Sequence, residues 1–179
     1  MIIDDILPEF HFQETHSVSI PAPAERILAE ALAYDPRQDG FIRGAITLRE
    51  LPARLIGRLR GKPVAQKPFD LTHFTPLAQG PDEAVFGMVG RFWQARYGQD
   101  PLPDLAALHA YDRAGSVKLV MHFHVEGDNR PRLTTRTRIY CLDGAAKVRL
   151  TPYWYLIRPV SGLIRKRMLA AIKRSCLRT

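Results

Sequence analysis

The spacing of apolar residues changes period in the C-terminal half of the chain, and that change restricts the architecture more than any other feature. Val117, Leu119, Met121, Phe123 and Val125 alternate with Lys118, His122, His124 and Glu126. That is the period of a strand with one buried face and one wet face. After Asp143, a good N-cap, the residues Trp154, Ile157, Ser161, Ile164, Met168, Ala171 and Ile172 return at steps of three or four. Such spacing predicts an amphipathic helix of about five turns, kinked or divided by Pro152 and Pro159. A half-buried strand followed by a long amphipathic helix implies that the helix covers the sheet, with room for a cavity where the sheet curves.

The rest of the chain supplies the other layers. Phe10–Ile20 reads as a first strand, stopped by Pro21 and Pro23, and Ile27, Leu28, Ala31 and Leu32 follow at helical spacing. Leu48, Leu51, Leu55 and Leu59 predict a second helix whose other face carries Arg49, Arg54, Arg58 and Arg60. Phe69–Leu77 and Glu83–Phe92 flank Gly80-Pro81-Asp82, the signature of a hairpin. Ala106–Tyr111 with Val117–Glu126 predicts another, and Leu133–Leu142 a further strand. Short turns between consecutive strands, with helices before and after them, give an antiparallel α+β fold in a single domain over residues 1–179.

Charge sharpens the range of functions. The 179 residues carry a formal net charge of +8, but residues 1–143 sum to −1 and residues 144–179 to +9. The basic character therefore belongs to the closing helix. Arg158, Arg165, Lys166 and Lys173 are expected on its outer face, solvated or resting on an anionic membrane surface. Nucleic acid is not expected as a partner, because base-stacking aromatic motifs do not accompany the cations. The acidic start MIIDDILPEF is unlike a signal peptide, and the most apolar stretch, Tyr153 to Ile164, contains Arg158 and Pro159. A cytoplasmic setting is expected, with Cys141 and Cys176 as buried free thiols.

Motifs for covalent or nucleotide chemistry are absent. No serine stands in a nucleophile elbow, and Gly87-x-x-Gly90 falls within a strand. His122 and His124 share the expected wet face, so they read as solvent-facing rather than as metal ligands, and no cofactor or metal is expected. The pairs Asp4-Asp5 and Asp82-Glu83 read as solvated charge. His73, beside Phe74, is a candidate polar group for the cavity, and Arg91 and Arg138 are candidate anchors for a ligand carboxylate. Trp93 and Trp154 stand where aromatics would frame a cavity mouth, Trp154 in the same stripe as Ile157 and Met168.

The stretches ETHSVSIPAPAERILAEAL, LRELPARLIGRLRG, AVFGMVGRFWQ, TTRTRIYCLD and YWYLIRPVSGLIRKRML together span nearly the whole chain. In these the sequence resembles a bacterial branch of the SRPBCC superfamily, the START-like, pollen-allergen-like helix-grip proteins. One departure is Arg136, where the Thr-x-Thr strand usually carries an acid. The resemblance implies a curved antiparallel sheet wrapped around the C-terminal helix, with a cavity for an apolar or amphipathic small molecule such as a lipid or polyketide. The expected walls are Phe74, Met88, Trp93, Met121, Phe123, Trp154, Ile157 and Met168. It leaves open a second class, a cyclase- or dehydratase-type enzyme acting in that cavity.

Overall fold

The computed structural model describes residues 1–36, 39–40, 44, 74–93, 98–127 and 129–178. The helix expected around Leu48–Leu59, the start of the strand expected from Phe69, and His73 lie outside the described residues. The elements run α1 (Ile2–Ile6), β1 (Phe12–Ser19), α2 (Ala24–Leu32), β2 (Thr75–Gln79), β3 (Glu83–Gly90), β4 (Gln99–Asp100), α3 (Leu105–Ala110), β5 (Val117–Glu126), β6 (Arg132–Cys141) and α4 (Gly144–Leu177). This is an α+β arrangement: a six-stranded antiparallel curved sheet and a long C-terminal helix.

The strands lie in the order β1-β6-β5-β3-β2, and β4 pairs with the end of β3. Gly90 makes that pairing sterically feasible. Its φ is 138°, and a Cβ there would stand 2.2 Å from the Gly98 carbonyl oxygen. Only glycine tolerates both the backbone angle and the approach.

Alternation in the strands sorts their side chains onto two faces. One face buries Met88, Val117, Met121, Phe123, Val125, Leu133 and Ile139 against α2 and α4, which contribute Ile27, Leu28, Leu150, Trp154, Met168 and Ile172. The other face is not wet, contrary to the sequence expectation. Val85, Val89 and Val120 are covered there by Ile3, Ile6 and Leu7 around α1 and by Leu102 and Leu108 around α3. Each covering helix is short. The five residues of α1 are too few to show a period. Ala106–Tyr111, expected as a strand, is mostly helix α3, because six residues with apolar positions throughout fit either period. Asp104 decides the matter by accepting a hydrogen bond from the Ala107 backbone N–H at 2.8 Å, which caps the first turn.

The cap expected at Asp143 is present. Its Oδ1 accepts from Ala146 N at 2.7 Å and its Oδ2 from Gly115 N at 2.5 Å. These backbone donors hold its carboxyl below the usual carboxylate range. The same residue therefore starts α4 and fastens the turn before β5. Helix α4 then continues for 34 residues, roughly 50 Å at 1.5 Å per residue, and the two prolines do not divide it. Proline at 152 and 159 leaves the carbonyls of Val148 and Tyr155 without their helical donors. All four residues are exposed, so water takes up those carbonyls at little cost.

Candidate functional site

Strand β1 carries an anomaly that is visible once its faces are known. Phe12, Glu14, His16 and Val18 are half-buried and share the face under α4, while the residues between them are exposed. A carboxylate and an imidazole thus occupy positions where the alternation calls for apolar side chains. Register places Glu14 opposite Thr137 and His16 opposite Thr135 on β6. Across the next pair, Thr137 stands opposite Met121 and Thr135 opposite Phe123 on β5. Two transverse rows result, polar at the β1 end and apolar toward the sheet centre.

Helix α4 completes the polar end. Ser161 Oγ donates to Glu14 Oε2 at 3.1 Å, and His16 Nε2 lies 2.7 Å from Glu14 Oε1. At that distance an Nε2–H of His16 donates to the Glu14 carboxylate, which orients the ring. The close approach of helix to strand depends on Gly162, where a Cβ would stand 3.2 Å from Glu14 Oε1 and 3.5 Å from His16 Cε1. One helical turn past Ser161, the Arg165 guanidinium donates to Thr137 Oγ1 at 2.9 Å and lies 2.8 Å from Met121 Sδ. Burial pushes the Arg165 pKa down to about 10, and the charge of Glu14 nearby only partly opposes this. The result is a half-buried, partly desolvated cation whose hydrogen-bonding contacts, a hydroxyl and a thioether, are both neutral. Charge held in that way is costly, and an anion would be welcome beside it.

Arg165 corrects the sequence reading of the basic helix, which placed it on the outer face. The two candidate anchors of the sequence reading are engaged elsewhere. Arg138 lies on the sheet face away from α4, where its guanidinium meets Asp4 Oδ1 at 2.7 Å, the Leu7 carbonyl at 3.0 Å and Gln13 Oε1 at 3.0 Å. It also stacks 4.6 Å from the Phe10 ring centroid. It fastens α1 to the sheet. Arg91 donates to the carbonyls of Gly115 and Ala114 and holds the turn before β5.

Most of the apolar candidates share one side of the sheet. Phe74, Met88, Met121, Phe123, Trp154 and Met168 belong to one buried cluster between sheet and α4, and Trp93 packs against it half-buried. Trp154 lies 5.6 Å from Phe12, ring to ring. Ile157 is half-buried on α4.

Of the β5 histidines, expected to face solvent, His122 is buried and His124 half-buried. His122 is 1% exposed, its Nε2 2.7 Å from Glu83 Oε2, and the Ile2 backbone N–H donates to that same oxygen at 3.0 Å. His124 stacks on His122 at 5.6 Å and approaches Asp82 at 3.7 Å. Burial lowers the His122 pKa despite its Glu83 partner. Both acid pairs expected to be solvated thus take part in holding the N-terminus: Asp4 on Arg138, Glu83 on His122. Among the described residues, no group of three or more His, Cys, Asp and Glu side chains is placed to hold a metal ion. Both cysteines are buried and free, and burial pushes the Cys141 thiol up to about 11.

Compared with known proteins, the chain matches no family model, no curated protein and no solved structure. Functional inference therefore rests on the Glu14–His16–Ser161–Arg165 cluster and the apolar face beside it.

Proposed function

We propose that the protein binds an amphipathic small molecule, with an apolar body and an anionic head, between the sheet and α4 in a helix-grip arrangement. The observation that carries this reading is Arg165, a half-buried guanidinium aimed at the sheet whose direct contacts among the described residues are Thr137 Oγ1 and Met121 Sδ. A ligand carboxylate offers the partner it lacks, and a bidentate Arg–carboxylate pair is among the stronger charge-assisted contacts. The apolar part has Met121, Phe123 and Met168 nearby in the same core, and methionine side chains repack readily around varied shapes.

Native mass spectrometry of the freshly purified protein looks for a retained ligand. The decisive comparison is titration with the fluorescent fatty acid cis-parinaric acid and with its methyl ester. Tighter binding of the acid, by about tenfold for one charged pair, with the preference lost in Arg165→Met, supports the reading. Binding of neither compound, or equal binding of both by the wild type, overturns it.

A second reading is an enzyme of the cyclase or dehydratase class working at the same place. It is favoured by the Glu14–His16 pair, because a histidine oriented by a carboxylate is equipped for general acid–base chemistry beside an anion-stabilising Arg. Turnover of a bound compound that is lost in His16→Gln while binding persists would distinguish it from a carrier.

A further inference from the structure

We infer that the outer surface of α4 docks on an anionic lipid surface, lying along it at headgroup depth. Val148, Tyr155, Leu156, Val160, Leu163 and Leu177 are exposed on this helix, and Leu156 and Val148 reach 77% and 74%. On a helical wheel they fall within about 140° of one another, opposite Leu150, Trp154, Met168 and Ile172 of the core. Two large apolar side chains, Met1 and Phe10, make up the remainder of those exposed among the described residues. Scattered exposed apolar residues are ordinary, but six aligned along one helix face form a surface that seeks a partner.

The charges around the stripe decide which partner. Arg149, Lys166 and Arg174 are exposed on the same side of the wheel, and residues 144–179 contain no acid. A second copy of the chain laid on this face would bring those cations against their own counterparts. A nucleic acid would satisfy the cations and leave the aliphatic stripe unused. An interface of anionic lipids satisfies both, with aliphatic side chains below the headgroups and cations among them.

The prolines limit the depth. Pro152 and Pro159 leave the Val148 and Tyr155 carbonyls dependent on water, and both lie on this face, so the helix cannot sink into hydrocarbon without stripping them. Headgroup depth keeps them hydrated and suits the amphipathic ring of Tyr155. No helix among the described residues is long and apolar enough to cross a membrane. Arg165 and the polar cluster face the other way, so this surface is independent of the ligand site.

The test is cosedimentation of the full chain with vesicles of phosphatidylcholine alone or mixed with phosphatidylglycerol, at low and high salt. The expected result is binding to the mixed vesicles at low salt, weakened about tenfold or more by Leu156→Ser/Leu163→Ser and by Lys166→Glu/Arg174→Glu, with circular dichroism unchanged. The proposal is overturned by equal binding to neutral vesicles, by no binding to anionic vesicles at low salt, or by wild-type binding in both double variants. A concentration-dependent dimer that Leu156→Ser/Leu163→Ser dissociates, seen without vesicle binding, overturns it in favour of self-association.

Discussion

Arg165 spans the space between helix and sheet to donate to Thr137 Oγ1 at 2.9 Å, and this contact leaves a half-buried positive charge on a neutral partner. A fall in its pKa from 12.5 to about 10 corresponds to about 3 kcal/mol against keeping it charged in the folded state. Arg165→Met removes that cost while keeping most of the apolar stem. The expected stability of the variant in urea is equal to the wild type or up to about 2 kcal/mol greater, accompanied by loss of the preference for an anionic ligand. A variant destabilised by about 2 kcal/mol or more would show that Arg165 serves the fold rather than a ligand.

Proximity to β1, and not its backbone angle, limits what side chain position 162 can carry. Alanine in a helix interior normally gains about 1 kcal/mol over glycine. Here the added methyl group meets Glu14 Oε1 at 3.2 Å, so the gain is expected to shrink to near zero. Gly162→Leu has no such allowance and is expected to push the helix from β1, costing about 2 kcal/mol or more. Thermal unfolding of the two variants measures both effects, and a stabilised Gly162→Leu would mean that helix and strand are not held close at this point.

The sequence disclosed the layers better than the chemistry. Strands β5 and β6 and the start of α4 are marked by long regular periods and by Asp143, and they stand where those signals put them. Helices α1 and α3, five and six residues long, carry too little pattern to separate helix from strand. Without these two helices the second sheet face is wet and His122 faces solvent; with them that face is covered. Glu14 and His16 were legible in principle as polar residues in phase with Phe12 and Val18. Arg165 was not, because a cation at the edge of the apolar stripe reads as surface until the neighbouring strand is known.

Arg138 holds α1 through contacts that no smaller side chain reproduces. Its removal leaves the buried Leu7 carbonyl without that donor and frees Asp4, whose carboxyl is held low chiefly by its hydrogen bond to Arg138. Arg138→Ala is expected to cost about 2–4 kcal/mol, and Arg138→Lys to recover only part, since an ammonium lacks the planar fork. Hydrogen exchange supplies the local readout. Amides of residues 4–7 should lose protection before those of β5, and uniform loss across the sheet would contradict a role confined to α1.

Buried His122 gives folding a defined pH dependence, and His11 adds to it. Burial lowers the pKa of His122, and partial desolvation lowers that of the more exposed His11, whose Nδ1 accepts from the Cys141 backbone N–H. For a base whose folded pKa lies below its unfolded value of about 6.5, the unfolded chain takes up protons first as pH falls. The stabilising contribution is therefore complete above about pH 6.5 and is lost as pH drops from there through the folded pKa. His122 contributes a slope of at most about 1.4 kcal/mol per pH unit within that window, and the exposed His11, screened by water, contributes less. Urea unfolding between pH 7 and pH 5 should show stability declining with acid, and His122→Gln should reduce the slope by up to one proton while His11 maintains the remainder. An unchanged slope in His122→Gln would mean that Glu83 compensates fully for the burial of the charged ring. A slope of the opposite sign in the wild type would show that the Glu83 pair raises the His122 pKa on folding.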